Sequence, residues 1–575
     1  MKTETPLATA SVAEAYLSHL HSRGIEYLYL GSGSDTAPLV QAYADAAKTG
    51  RTFPKPVVSA HETVAIGMAH GYTMVTGRMQ AVMLHVSVGA ANAVCGIMNA
   101  ARANVPILFT AGRTPVFEEG PRGARDSVIH WAQEMFDQAG MMRELIKWDY
   151  ELRDGSQMAD VVDRAISVAT AHPRAPVYLT LPREVLAAPA LPADAVRSAP
   201  LTPVSDPAPQ GDAVLALARA LMTAEVPVFM CTGSGADPST VPQLVALCER
   251  FGIGVGESRS RYVCFPDSHP LHLGHDQQPI YDAADALVFL ESDVPWVPAR
   301  AKPARTAFVA HAGVDPLFTR YPVRSHRSDL SVASTVSNLL PALAAALDSL
   351  GAQAGADGRR QRLLALGLSH RERIDARARQ DHERGGPITK AYLSACLAKA
   401  LPDGAIVINE YPAVRECLPF DEGGRYFVHA ASAGLGWGFP AALGAQQATP
   451  AQQVVAFMGD GAYLFANPAA CHHAAALHRL PVVAVVFNNG GWGAVQNAAL
   501  GVYPQPKTGT GVASDTALPL SCLDPLPDFE KYAEASGGLG LRVTERALLP
   551  AALKRAFDVA RQEKRQVLLN VIGQG

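Results

Sequence analysis

Several absences bound this chain before any motif is considered. There is no excess charge of one sign: 49 Lys and Arg stand against 53 Asp and Glu in 575 residues. That balance leaves no electrostatic footprint for nucleic acid or an anionic membrane. There is no close cysteine pair. The eight cysteines (Cys95, Cys231, Cys248, Cys264, Cys396, Cys417, Cys471 and Cys522) are scattered, without zinc-finger or redox spacing, which predicts reduced thiols. There is no long apolar run. The purest, residues 481–487, has the length of a strand and falls short of a membrane span. The opening MKTETPLATASVAEAYL lacks the apolar core of a signal peptide. No short repeat or low-complexity period accompanies the 48 glycines and 42 prolines. Together these absences predict a soluble, cytoplasmic protein with neither a nucleic-acid nor a membrane partner.

What is present predicts a large core. Hydrophobic residues make up 48% and charged residues 18%, too apolar for wholesale disorder. The length calls for two to four domains. Residues 187–212 are rich in Pro and Ala, and residues 351–386 hold an Arg-rich run that starts as a solvated helix and ends in Gly385-Gly386. Read as linkers, they leave three parts: 1–186, 213–350 and 387–575. Each part alternates short, apolar, β-branched runs with helical segments. Examples are AVMLHVS, PILFTAG and PVYLTL in the first, PVFMCTGSG, ALVFLES and TAFVAHA in the second, and AIVINE, VVAFMGDG, PVVAVVFNN and QVLLNVI in the third. Strands of that kind are buried on both faces of parallel sheets. The expected fold class is α/β, with three doubly wound parallel-sheet domains in tandem.

The third part carries the strongest chemical signal. VVAFMGDG ends in Gly459-Asp460-Gly461, a helical stretch spans about 462–478, and PVVAVVFNN ends in Asn488-Asn489. In one strand–helix–strand unit both strands run the same way. Asp460 and Asn489 therefore share the C-terminal edge of the sheet, where open α/β sheets bind ligands. Asp460 offers a charged oxygen and Asn489 a neutral one, a donor set that suits magnesium together with phosphate and water. The flanking glycines let backbone approach a phosphate, and the helix start favours an anion. A GDG alone is usually only a tight turn; GDG and NN at the ends of consecutive strands are far more specific.

That pair resembles the cofactor motif of thiamin-diphosphate enzymes. Upstream, AGLGWGFPAALGAQQATPAQQVVAFMGDG is similar to the same region of benzoylformate decarboxylase and acetolactate synthase, and INEYPAVRE resembles their first phosphate-side loop. The resemblance covers almost the whole chain, in the order pyrimidine-binding, central and diphosphate-binding domain. It implies thiamin diphosphate and Mg2+ as cofactors. Asp460, Asn489 and the carbonyl of Gly491 become magnesium ligands. Leu435, beside Gly434, becomes the apolar wedge that bends the cofactor. Asn409, Gly459, Gly461 and Ala462 lie near the diphosphate. Pro412 and Ala413 stand where some relatives carry hydroxyls, a departure in the same loop.

The cofactor must lose a proton from its thiazolium carbon. A carboxylic acid on its pyrimidine ring drives the ring to the imino form that takes that proton, and such an acid is expected in an apolar setting. Glu62 opens the apolar helix HETVAIGMAHGY and matches the family's relay glutamate. On its own it reads as an ordinary helix-start acid. In relatives this glutamate reaches a cofactor held by another subunit, which implies an obligate homodimer, often paired into a tetramer.

On the substrate side, His85 in LHVSVGAANAV is similar to the active-site histidine of benzoylformate decarboxylase, where it would shuttle a proton. Acetolactate synthases lack it. Ser34 in LGSGSDTAP matches that decarboxylase's serine, although Gly, Ser and Asp also simply form turns. Trp492 either lines the pocket or packs. His472 and His473 lack metal-ligand spacing. No counterpart of the decarboxylase's second histidine is evident, and IHWAQEMFDQAG, with Gln133-Glu134, resembles the acetolactate-synthase side. Some relatives bind FAD in the central domain, but no complete dinucleotide fingerprint is present here and FAD is not expected. Residues 500–527 form a long Pro/Gly-rich stretch, a candidate lid.

The reading that follows is a lyase acting on a 2-oxo acid, releasing CO2 and an aldehyde, with carboligase capacity. An acetolactate-synthase-like ligase, forming an acyloin or a 2-hydroxy-2-acyl acid, is the close alternative, and a 2-hydroxy ketone is an alternative donor. A non-catalytic paralogue would be expected to lose Glu62 or Asp460; both are present.

Overall fold

The computed structural model describes residues 10–190, 202–351, 356–503 and 518–574. The described strands form three six-stranded sheets in which all recorded strand pairs are parallel. The first sheet holds β1 (Tyr27–Leu30), β2 (Lys55–Val58), β3 (Ala81–Leu84), β4 (Leu108–Arg113), β5 (Asp149–Glu151) and β6 (Val177–Pro182), in the order β2-β1-β3-β4-β6-β5. The second holds β7 (Pro227–Cys231), β8 (Gly254–Glu257), β9 (His272–Gly274), β10 (Ala286–Leu290), β11 (Phe308–Gly313) and β12 (Leu330–Ala333), in the order β12-β11-β10-β7-β8-β9. The third holds β13 (Ile406–Glu410), β14 (Tyr426–Val428), β15 (Val454–Gly459), β16 (Val483–Asn488), β17 (Leu539–Val543) and β18 (Val567–Ile572), in the order β14-β13-β15-β16-β18-β17. The α/β class with three parallel sheets is as expected from the apolar runs.

The central strands are buried along nearly their whole length, as in β3, β7, β10, β13 and β16. Helices cover both faces, so these strands need no polar alternation. Some of the shortest strands were not legible. GVGE and HLG in β8 and β9, and the three residues of β14, are too short or too glycine-rich to read as strands from sequence.

The chain divides into two compact units. One comprises residues 1–205, 429–450 and 464–480; the other comprises residues 206–428, 451–463 and 481–575. In the first unit, helix Glu62–Thr76 is buried from Val64 to Met74. It packs against helix Gly438–Ala448 with almost no side-chain layer between them. A Cβ on Gly71 would lie 1.9 Å from the Ala441 carbonyl oxygen, and one on Gly444 would lie 1.9 Å from that of Met68. Small residues let the two backbones touch, and each neighbouring aliphatic buried there contributes about 1.5–3 kcal/mol.

In the second unit, the Arg-rich stretch read as part of a linker is a helix, Ala356–Arg384, ended by Gly385 and Gly386 at φ 59° and 78°. Its Leu363 and His370 are buried against β8 and β9, so it is an integral covering helix of that unit. The helical stretch expected over 462–478 is two helices, Asp460–Phe465 and Pro468–Leu477. The break falls at Asn467, at φ 55°, before Pro468, which cannot continue a helix. Of the candidate lid, residues 504–517 lie outside the described residues, as do 191–201 of the first linker. No helix among the described residues is long and apolar enough to cross a membrane.

Candidate functional site

The edge of the third sheet assembles the GDG and NN residues. β15 and β16 are adjacent and parallel, with Gly459 opposite Phe487, so Asp460 and Asn489 leave the sheet side by side. Asp460 is 3% exposed. One carboxylate oxygen accepts from Gly461 N at 2.7 Å; the other accepts from Asn489 N at 3.1 Å and Gly491 N at 3.2 Å. Burial raises its pKa, and the backbone amides of Gly461, Gly491, Gly490 and Asn489 oppose the rise. Among the described residues no cationic side chain pairs with it. A buried carboxylate held only by amides is a place where a bound cation supplies the missing charge.

The neighbouring positions divide. A Cβ on Gly459 would meet nothing within 4 Å, leaving room for a ligand. A Cβ on Gly461 would strike the Trp492 ring at 2.2 Å, so this glycine is required by packing. Ala462 is buried in the helix that follows. Asn409 is the penultimate residue of β13, and its Oδ1 accepts from Ala413 N at 3.2 Å, shaping its own loop. Trp492 N donates to the Ser521 carbonyl at 2.8 Å.

The first unit assembles a second group. Glu62 sits at the head of its helix, with His61 as the cap. The apolar setting expected for it is only partly there: Asn92 Nδ2 donates to Glu62 Oε2 at 3.1 Å, and His61 Nδ1 lies 3.8 Å away. A Cβ on Gly89 would come within 3.5 Å of Glu62 Oε1. His85 ends the β3 segment and precedes helix Val86–Arg102. Its Nδ1 lies 2.5 Å from Asp35 Oδ1, and the other Asp35 oxygen accepts from Val86 N at 3.3 Å. Asp35 raises the pKa of His85 by that hydrogen bond; partial burial opposes the rise, and the charges of Asp35 and Glu62 add to it. Val86, a β-branched residue, sits at φ 28°, a strained conformation of the kind found at functional turns.

The other imidazole nitrogen of His85 lies 3.4 Å from Gln133 Nε2. Gln133 is held by Ser87 Oγ donating to its carbonyl at 2.8 Å, while its side-chain Oε1 is buried without a hydrogen-bond partner. Glu134 is engaged elsewhere, paired with Arg113 at 2.7 Å and Arg125 at 2.6 Å. Ser34 is exposed on the turn whose next residue, Asp35, is buried.

The loop before helix Gly438–Ala448 carries Gly434 and Leu435. Asn99 holds it: Nδ2 donates to the Gly434 carbonyl at 2.8 Å, and Oδ1 accepts from Gly434 N at 3.1 Å and Ser432 Oγ at 2.9 Å. Leu435 is half-buried. His472 is fully buried and packs edge-on to Phe439 at 4.8 Å, while His473 is exposed.

Asp35, Asn92 and Asn99 were missed by sequence reading. Asp35 looked like turn chemistry. Asn92 and Asn99, seven apart on the Gly/Ala-rich helix after His85, share one helical face, and polar residues on an otherwise small, apolar helix were the available signal.

Comparison with known proteins gives the family. Residues 10–141 match the family described as thiamine pyrophosphate enzyme, N-terminal TPP binding domain, and residues 411–571 match thiamine pyrophosphate enzyme, C-terminal TPP binding domain. The chain belongs to the thiamine pyrophosphate enzymes. It is 28% identical to benzoylformate decarboxylase of Pseudomonas aeruginosa, over 96% of this chain and 97% of that one. It is 26% identical to sulfoacetaldehyde acetyltransferase of Rhodobacter capsulatus, over 95% and 91%. Its fold is similar to that of the thiamine diphosphate-dependent 4-hydroxybenzoylformate decarboxylase of Rhodococcus jostii RHA1, at TM-score 0.76 and 24% identity, over 98% and 99% of the two chains.

Proposed function

We propose that this enzyme uses thiamin diphosphate and Mg2+ to cleave the carbon–carbon bond beside the carbonyl of a 2-oxo acid, releasing CO2 and an aldehyde, with a capacity to join the acyl fragment to a second carbonyl. The observation that carries the reading is the His85–Asp35 pair, placed in the same unit as Glu62 and turned toward Gln133. A histidine oriented through one nitrogen leaves the other to exchange a proton with substrate.

When bound, thiamin diphosphate supplies the carbon nucleophile and electron sink, and magnesium ties its diphosphate to the protein. Asp460, the Asn489 side chain and the Gly491 carbonyl hold the metal. Gly459 leaves space for the diphosphate, with Asn409 shaping the adjacent loop. Leu435, on the loop pinned by Asn99, wedges the cofactor. Glu62, oriented by Asn92, hydrogen-bonds the pyrimidine ring. His85 delivers or removes the proton on the substrate side, and Ser34 contacts the substrate. Segments 1–186, 213–350 and 387–575 serve as the pyrimidine-binding, central and diphosphate-binding domains. The working form is a cytoplasmic homodimer, paired into a tetramer. Exposed Val88 and Met98 on helix Val86–Arg102 support association.

A ligase of the acetolactate-synthase kind is the second reading, supported by Gln133 beside His85. The relative named for sulfoacetaldehyde adds a third donor to test. The experiment is turnover of pyruvate, benzoylformate, branched 2-oxo acids and sulfoacetaldehyde, with and without thiamin diphosphate and Mg2+, alongside Glu62→Gln. Cofactor-dependent CO2 release with stoichiometric aldehyde, falling about 10²–10⁴-fold in the variant, is expected. An acyloin as main product would favour the ligase. No calorimetric binding of the cofactor would overturn the proposal.

A further inference from the structure

Away from the residues above, the second unit holds a buried cluster of ligating side chains at the β8–β9 edge of its sheet. Glu257 ends β8 and is fully buried; His272 opens β9 and is 3% exposed; His275 follows the end of β9. One donor atom from each lies within 4.8 Å of the other two. Asp267, from the loop between the strands, stands beside both imidazoles. Its Oδ1 is 3.2 Å from His275 Nε2 and 3.7 Å from His272 Nε2.

Hydrogen bonds fix His275 and Glu257. His275 Nε2 donates to Asp267 Oδ1, so a neutral ring presents the Nδ1 lone pair. That lone pair lies 3.9 Å from Glu257 Oε2, a separation too long for a hydrogen bond. Glu257 is fixed by Ser260 Oγ at 2.6 Å and by the amides of Cys264 and Phe265, both at 3.0 Å. Asp267 is fixed by Arg415 Nη1 at 2.5 Å and Phe420 N at 2.6 Å. His272 Nε2 is buried within the cluster and has no hydrogen-bond partner. An unmet buried nitrogen carries an uncompensated desolvation cost. A ligand bound beside it would give that nitrogen a partner.

We propose that Glu257, His272 and His275 hold a divalent transition metal, zinc by preference, with Asp267 as the outer carboxylate that orients His275. Two imidazoles and one carboxylate suit zinc; magnesium and calcium take oxygen ligands. A carboxylate behind a ligating histidine is the usual support of such sites. A cavity of about 190 Å³, lined by Asp267, His272, His275, His370 and Arg415 among others, adjoins the cluster and admits a water as the fourth ligand. Asp267 is paired with Arg415, and Arg371, Asp375 and Glu416 also line the adjoining cavity. The metal clasps β9, a three-residue edge strand with few ladder bonds of its own, onto β8. This site is independent of the thiamin-diphosphate assignment.

The test uses the full chain without a histidine tag, purified from zinc-supplemented medium. One equivalent of zinc is expected to survive gel filtration. Cobalt added to the chelated protein should give visible absorption bands of a low-coordinate nitrogen–oxygen site. His272→Gln and His275→Asn should each weaken zinc binding more than about 100-fold, beyond the 10–100-fold expected for the outer-shell change Asp267→Asn. If His272→Gln fails to fold, His275→Asn, at a side chain 12% exposed, still reads the site. Asp460→Asn should leave the zinc stoichiometry unchanged. No retained zinc with no cobalt bands, or zinc retained at full affinity in His275→Asn, would overturn the proposal.

Discussion

His85 Nδ1 and Asp35 Oδ1 meet at 2.5 Å across fifty residues of sequence. Two glycines make the meeting sterically feasible. A Cβ on Gly33 would lie 2.1 Å from His85 Nδ1, and one on Gly112 would lie 1.7 Å from Asp35 Oδ2. The pair joins the turn after β1 to the end of β3 and leaves the other imidazole nitrogen beside Gln133.

Asp35 raises the pKa of His85, and the sign of the consequence follows. In the unfolded chain the imidazole returns to about 6.5. The pair's contribution to stability is therefore fully present below that pH and is lost as pH rises through the higher folded value. Asp35→Asn should bring the folded pKa of His85 down, read by NMR titration of the ring. It should also move the histidine-dependent limb of the pH–rate profile to lower pH. An unmoved limb would remove His85 from the reaction.

Asn99 makes three hydrogen bonds to residues 432–434. Asn99→Ala leaves the Gly434 N–H and carbonyl and the Ser432 hydroxyl without this partner and should cost about 1–3 kcal/mol in unfolding free energy. Because the same loop carries Leu435, the affinity for thiamin diphosphate should fall as well, measured by calorimetry. Asn99→Asp, which keeps one acceptor, should lose less.

Asp460 is raised in pKa by burial, so its ionised form opposes folding of the metal-free protein. Metal-free stability should rise as pH falls through the folded pKa. Asp460→Asn should raise the melting temperature measured in EDTA, yet abolish the further rise produced by Mg2+ with thiamin diphosphate. A variant that keeps the ligand-induced rise would exclude Asp460 as the metal's anchor.

Gly71 touches the backbone of Ala441. Gly71→Ala would gain helix propensity, worth up to about 1 kcal/mol. The clash should outweigh that gain by overpacking of about 1–3 kcal/mol or more, giving a net loss in chemical denaturation. A stabilised variant would show that the two helices separate readily.

Legibility from sequence varied with the kind of feature. Helix Glu62–Thr76 was read to its ends because an acid opens it and Gly77 closes it in the left-handed conformation, at φ 70°. The strand β16 was legible because burial on both faces demands an unbroken apolar run. The break at Asn467 was not, since only Pro468 announced it. Asp35 was hidden beside Ser34, because a turn of Gly, Ser and Asp reads the same whether its carboxylate faces water or an imidazole. The Arg-rich run read as a solvated helix because its few buried positions, Leu363, Gly367 and His370, are outnumbered by charge.

The sequence by itself determined the class of fold, the existence of a strand–helix–strand unit, and hence that Asp460 and Asn489 emerge at one sheet edge. Those are local matters: strand burial is written in runs of residues, and parallel strands joined by a crossover must point the same way. Only the tertiary structure decided which distant residues meet. Asp35 with His85, Asn99 with Gly434 (335 positions apart), and Glu257 with His272 and His275 depend on strand order and on helices that pack through glycine. The free energy of such contacts comes from burial and hydrogen bonding between segments, and no local pattern of residues records it.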